Sequence, residues 1–375
     1  MTTIDEFAAG FADEPGYFDF AKYGPISTPV AEEQRGLVDL QARSRHGSEI
    51  ALDEQAGRVR RAVSALVGFP ADQVVFQPNT SEGLLHTMFG LTGQIVLSAR
   101  EYPSLPLAVT RASSALRVLD PVWMDPTYGA VTPALVQEHL TSSTTAVAVS
   151  AVDYRTGYLA DLEGIRQVIG DRLLIVDAVQ GLGVADLPWS LADVVMAGGQ
   201  KWLRAGWGTG FLALSERAAT ELTPVFTGVA GSELVLGGRY DQPVPVRAGA
   251  AAFQVANPDP IAQARLATAA EAVTAVGVPA IAAAVAERAS RLIDLADEAA
   301  VPVMSSRDEA ERAGIVVLQP EPAQLTTLTA AFINHGVTAT VRDTTVRLST
   351  HVSNDDESFD LLRAALTSFG SAVTY

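Results

Sequence analysis

The chain has 375 residues, 48% of them hydrophobic, which is enough for a large core and more than one domain. Acidic residues outnumber basic ones by 43 to 26, and the net charge of −17 leaves no basic face for nucleic acid. There is no Cys, which excludes disulfides, thiolate metal sites and any chemistry on a protein thiol. The acidic opening Met1–Gly16 lacks a signal-peptide core, and no apolar run approaches the roughly 20 residues that span a bilayer. A cytoplasmic protein with no membrane or nucleic-acid partner and no metal is therefore expected.

The opening segment Tyr17–Pro29 reads as irregular chain that can line a cleft. Helical periodicity follows over Val30–Arg45 and Leu52–Val67, with a polar break that contains His46. Val74–Phe76 is a short strand, and Asn79–Gly83 opens a helix. Thr80 and Ser81 at that opening serve either as caps or as phosphate ligands at the positive end of the helix. Gln94–Ser98 is the next strand and leads into Tyr102. Strands are expected at Leu116–Trp123 and Thr145–Val152, with a helix over Pro133–Leu140 between them. The second of these strands delivers Tyr154 and Arg155; the arginine either binds a carboxylate or pairs with a neighbouring acid.

The stretch Leu173–Gly210 organises the rest. Leu173–Val176 and Asp193–Ala197 are continuous apolar runs of the kind found in central parallel strands, and they end at Asp177 and, after Gly198-Gly199-Gln200, at Lys201. Ligands of open α/β sheets bind beyond the carboxyl ends of strands, so both side chains should face one crevice. An amine that can join an aldehyde, opposite a carboxylate that keeps a pyridine nitrogen protonated, suits pyridoxal 5'-phosphate. After the strand Gly210–Leu214 comes an irregular Gly- and Pro-containing region, Thr227–Pro260. An Ala-rich helical region follows over Ile261–Ala300, broken at Gly277–Pro279. Strands Ile315–Leu318, Thr338–Val341 and Thr345–Ser349 surround a helix over Ala323–His335, and Asn354 is placed to cap a last helix. Arg342 and Arg347 are candidates for a substrate carboxylate, with Arg342 favoured and Arg347 read mainly as packing.

Asp177-Ala-Val-Gln180, Gly198-Gly-Gln-Lys201-Trp202 and Val346-Arg-Leu-Ser-Thr-His351 together resemble the aminotransferase class V branch of the fold type I pyridoxal-phosphate enzymes. Gln200 stands where that branch usually has His, and Gly198 where Ser or Thr is frequent. The resemblance implies an α/β fold, with a mostly parallel central sheet, helices on both faces and a smaller C-terminal α+β domain. It implies a large cofactor-binding domain over 15–255 and a small one over 256–375, with residues 1–14 packing on the latter. Lys201 then holds the cofactor, and Asp177, Thr80, Ser81, Tyr102, Tyr154, Gln180, Gln200 and Asn257 contact it. Tyr102 stacks on the ring, and Asn257 reaches across a homodimer interface to the partner's phosphate. His46, Arg342 and Arg347 face the substrate.

Within the branch the whole chain resembles the hercynylcysteine sulfoxide lyases of ergothioneine biosynthesis. That implies β-elimination from a small cysteine-conjugate substrate. Tyr17, Phe18, Tyr23 and Trp207 are aromatic candidates for its trimethylammonium group. An aminotransferase, epimerase or kynureninase-like enzyme stands as the alternative, and a catalytically silent binding protein of the same fold as the third reading.

Overall fold

The computed structural model describes residues 2–43, 45, 47–126, 129–234 and 241–373. Seven strands form the main sheet: β1 (Val74–Phe76), β2 (Gly93–Ser98), β3 (Leu119–Met124), β4 (Thr144–Ser150), β5 (Leu173–Asp177), β6 (Val194–Gly198) and β7 (Gly210–Leu214). Their order is β1-β7-β6-β5-β4-β2-β3. The strands β2 to β6 pair in parallel, and β7 runs antiparallel to both β6 and β1.

The apolar runs of these strands are continuous because each side faces a core. Leu174 and Val176 enter one core with helices Ser48–Val67 and Pro260–Val276, while Leu173 and Ile175 enter another with helices Thr80–Gly90 and Ser104–Leu116. Alternate side chains on a strand point to opposite faces, so helices cover both.

A smaller antiparallel sheet, β8-β10-β9, is built from β8 (Ile315–Leu318), β9 (Thr340–Arg342) and β10 (Thr345–Ser349). The N-terminal segment lies along it. Phe18 donates its N–H to Thr338 O at 2.9 Å, and Ser349 donates its N–H to Phe18 O at 2.7 Å. This carries Asp19 to a place beside β10, more than three hundred residues away in sequence. No single helix among the described residues is long and apolar enough to cross a membrane.

Two sequence expectations need correction. The strand placed from Leu116 begins at Leu119, because Ser104–Leu116 is a helix whose buried Leu105, Ala108, Val109 and Ala112 recur at helical spacing. Asn354 does not cap the last helix, Asp356–Val373; the Asp355 carboxylate accepts the Ser358 N–H at 2.9 Å, while Asn354 holds the His351 N–H and the Tyr17 carbonyl.

Candidate active site

The chain reverses its direction of travel across the sheet between β2 and β4, and the crevice lies outside the carboxyl ends of the strands there. Parallel register sets Ser150, Asp177 and Met196 abreast at that edge. The loops that follow enclose a cavity of about 940 Å³. Thr80, Ser81, Tyr102, Asp177, Gln180, Gln200, Lys201, Arg342 and Arg347 all line it.

Lys201 sits on a tightly bonded loop after β6. Gly199 donates its N–H to Thr209 O at 2.8 Å, and Gly24 donates its N–H to Gln200 O at 2.8 Å. Gly24 runs so close beneath Lys201 that any Cβ there would collide with the Lys201 carbonyl. Burial lowers the Lys201 pKa to about 8, against the opposing pull of Asp177. Neutral amine is therefore available near physiological pH. Burial also raises Asp177 to about 6, offset in part by the Val179 N–H, which Asp177 Oδ1 accepts at 3.0 Å, and by Lys201. A carboxylate made more basic in this way remains ionised at neutral pH and holds a shared proton firmly.

At one end of the cavity the helix Thr80–Gly90 begins. Asn79 caps it by accepting the Glu82 N–H at 2.9 Å. Thr80 Oγ1 accepts the Gly198 N–H at 2.8 Å, and Ser81 Oγ lies 2.9 Å from Ser104 Oγ. Two departures from the family pattern meet here: a Cβ at Gly198 would overlap the Gln200 side-chain oxygen and come within 3.2 Å of Thr80 Oγ1. The Gln200 amide thus folds over the space that a larger residue at 198 would fill. Hydroxyls, an amide and a helix N-terminus suit a phosphate, with Lys201 and Asp177 spaced along the same cavity for an aldehyde and a ring nitrogen. The donor set fits pyridoxal 5'-phosphate.

At the other end stand the two arginines. Arg347 is buried and anchored: Nη1 donates to Tyr154 O at 3.0 Å, and Nη2 lies 3.6 Å from Asp19 Oδ1. Thr340 Oγ1 donates to the same Asp19 oxygen at 2.6 Å. Burial, then the neighbouring Arg342, lowers the Arg347 pKa to about 10. Its Nε has no partner. Arg347 is thus held in place at the cavity wall, whereas the Arg342 guanidinium rests over the Tyr154 ring at 4.8 Å. The Tyr102 ring is 41% exposed; its centroid lies 5.3 Å from Lys201 Nζ and meets Tyr154 edge-on at 5.2 Å.

The remaining expected residues are engaged in different ways. Gln180 uses its amide within the protein, donating to Ala21 O at 3.0 Å and accepting from Trp202 Nε1 at 2.8 Å. Asn257 lines a neighbouring opening that shares Trp207 and Gly208 with the lysine cavity. Tyr154 lines a second adjoining cavity. His46 lies outside the described residues. Of the four aromatic candidates, Phe18 is core, Tyr17 donates its hydroxyl to Tyr23 O, and Tyr23 stacks on Trp207 at 5.5 Å. Trp207 alone of the four lines the cavity.

Sequence reasoning missed Ser104, Asp19 and Glu101. Glu101 is fully buried and accepts the Ser150 N–H at 3.1 Å and the Ser150 hydroxyl. Desolvation raises it to about 7, with Asp153 and Asp177 adding to the rise. No local pattern marks these residues, because the fold brings their partners from distant parts of the chain.

The sequence profile of the aminotransferase class-V family matches residues 31–358. The chain belongs to that family and is a pyridoxal-phosphate enzyme of fold type I. An uncharacterized aminotransferase of Bacillus subtilis (strain 168), YcbU, is 28% identical over 197 residues, and the match spans about half the length of each protein. Among solved structures, a cysteine desulfurase of Thermococcus onnurineus NA1 superposes with a TM-score of 0.83 at 21% identity, covering 96% of this chain and 95% of that one. The cystine C–S lyase C-DES in complex with its product cysteine persulfide gives 0.84 at 19% identity, over 94% and 97%. At these identities the structures share the fold.

Proposed function

We propose that the protein is a carbon–sulfur lyase that cleaves a cysteine sulfoxide conjugate by β-elimination. The substrate on this reading is hercynylcysteine sulfoxide, and the products are pyruvate, ammonia and a sulfenate that a thiol reductant converts to ergothioneine. The observation that carries it is the pairing of a buried, weakly basic Lys201 with the preset Arg347 guanidinium in one cavity, in a chain without any Cys to accept sulfur.

When bound, pyridoxal 5'-phosphate accepts the electron pair left at the substrate Cα. Thr80, Ser81, Ser104 and Gln200 would hold its phosphate, Asp177 would keep a proton on its ring nitrogen, and Tyr102 would flank its ring. Arg347 binds the α-carboxylate by two parallel hydrogen bonds. Lys201, as free amine, takes the Cα proton. The Cβ–S pair then leaves with sulfur, and no nucleophile of the protein is needed. On the same reading the protein works in the cytoplasm as a homodimer whose Asn257 reaches the partner's phosphate end, with residues 15–255 and 256–375 as its two domains.

The test is release of pyruvate and ammonia in equal amounts from cysteine conjugates without any keto-acid acceptor. Lys201→Ala should remove both turnover and the absorption near the violet edge of the visible. Strict dependence on a keto acid, with no pyruvate, makes the protein an aminotransferase.

A further inference from the structure

A second cavity of about 650 Å³ adjoins the first, and Arg342 and Arg347 line both. Tyr154 and Arg155, from the loop after β4, line it too. The Tyr154 ring is near two cations: the Arg342 guanidinium is 4.8 Å and that of Arg155 5.8 Å from its centroid. Neither guanidinium is neutralised at hydrogen-bond distance. The Arg155 Nε is buried without a partner and lies 4.0 Å from Asp153 Oδ2. The other Asp153 oxygen already accepts the Arg155 N–H, the Thr156 N–H and the Thr156 hydroxyl. Arg342 has no ion pair or side-chain hydrogen bond among the described residues; its guanidinium meets the Tyr154 ring and lies near Arg347, whose pKa it lowers. Arg100 is engaged by Asp125.

Four arginines, Arg100, Arg155, Arg342 and Arg347, outnumber Asp125 and Asp343 in the lining, and with Arg342 unpaired among the described residues and Arg155 meeting Asp153 only at 4.0 Å, the compartment favours an anion. It opens beside the residues that hold the amino-acid half of the substrate. Building on the lyase reading above, we propose that this second cavity receives the leaving-group half and selects a leaving group that carries its own carboxylate, held by Arg155 and Arg342 while Arg347 holds the α-carboxylate.

The test compares S-(2-carboxyethyl)cysteine with neutral S-propylcysteine and cationic S-(2-aminoethyl)cysteine, each as thioether and as sulfoxide, in the pyruvate assay with the holoenzyme. kcat/KM should fall in the order anionic, neutral, cationic, with the first step about tenfold or more, as one charge-assisted hydrogen-bonded pair gives. In Arg155→Gln the anionic-to-neutral ratio should approach one, and Arg155→Lys should keep a clear preference. A ratio unchanged in Arg155→Gln, or a neutral conjugate preferred by the unsubstituted protein, overturns the proposal. If no conjugate releases pyruvate, the lyase reading fails, and calorimetric binding of the same conjugates decides the subsite by itself. About tenfold tighter binding of the carboxyethyl conjugate, lost in Arg155→Gln, supports it; equal affinities overturn it.

Discussion

Two aspartates buried in the central sheet, Asp177 at the carboxyl end of β5 and Asp193 just before β6, have opposite surroundings. Asp193 is saturated. Its Oδ2 accepts the Leu174 N–H at 2.8 Å, Arg166 Nη2 at 2.7 Å and Arg217 Nη2 at 2.6 Å, and its Oδ1 accepts Arg217 Nε at 3.1 Å. Asp177 has one backbone N–H and otherwise faces a cavity that it shares with Lys201. The same residue type thus ties helices to the sheet at one end and is left under-satisfied at the other. In a parallel sheet the amino ends of strands are free to serve stability, while the carboxyl ends carry chemistry at a cost in stability.

That contrast should separate cleanly on substitution. On the proposed reading Asp177→Asn removes the partner of the ring nitrogen, and we expect kcat/KM to fall by about a thousandfold, near 4 kcal/mol of transition-state stabilisation. Its melting temperature at pH 7 should hold or rise. The native pKa is raised to about 6, so folding loses stability as pH climbs from the ordinary carboxylate range through 6; a neutral amide escapes that loss. Asp193→Ala should do the reverse. Two guanidinium groups lose their carboxylate, costing about 3 kcal/mol of folding stability by the measure of broken buried pairs. Protein that remains folded should keep its kcat. Thermal unfolding and steady-state kinetics on both variants suffice, and a large fall in kcat for Asp193→Ala would undo the contrast.

How far the sequence foretold these two ends is uneven. The strands Leu173–Asp177 and Ile315–Leu318 were expected with the bounds they have, because continuous runs of β-formers between turn residues have one reading. Asp177 and Lys201 were legible for a related reason: each ends such a run, and strand ends are where a parallel sheet exposes side chains. Arg347 was read mainly as packing, and the sequence gives no sign of its partner Asp19, which the N-terminal segment brings to 3.6 Å from the guanidinium. Glu101 and Ser104 were missed, as was the helix Ser104–Leu116, in which Ser and Ala obscure a buried stripe that becomes clear only against β3 and the neighbouring helix.

The comparison sharpens further with pH. On the proposed reading, capture of the cofactor aldehyde requires the neutral Lys201 amine, and burial has lowered its pKa to about 8. The rate of cofactor uptake by apoprotein should rise about tenfold per pH unit below 8 and level off above it. Stopped-flow absorbance at several pH values reads this directly. A plateau reached only near pH 10 would mean that the lysine is not desolvated as its burial requires.

The smallest effect concerns Gly198 and Gln200. The predicted clash of a Cβ at 198 is with the end of a flexible side chain, so the backbone need not move; Gln200 must swing away from the space over Gly198. Gly198→Ser should therefore weaken cofactor affinity by only about threefold to tenfold, near 1 kcal/mol. The decisive observation is the double change. If position 198 matters only by displacing the Gln200 amide, then Gly198→Ser combined with Gln200→His should bind the cofactor more tightly than the two single effects added together, since neighbours that compete for one space are not additive. Strict additivity in a spectral titration would show that the two departures from the family pattern act separately, and that the phosphate end does not depend on where the Gln200 amide lies.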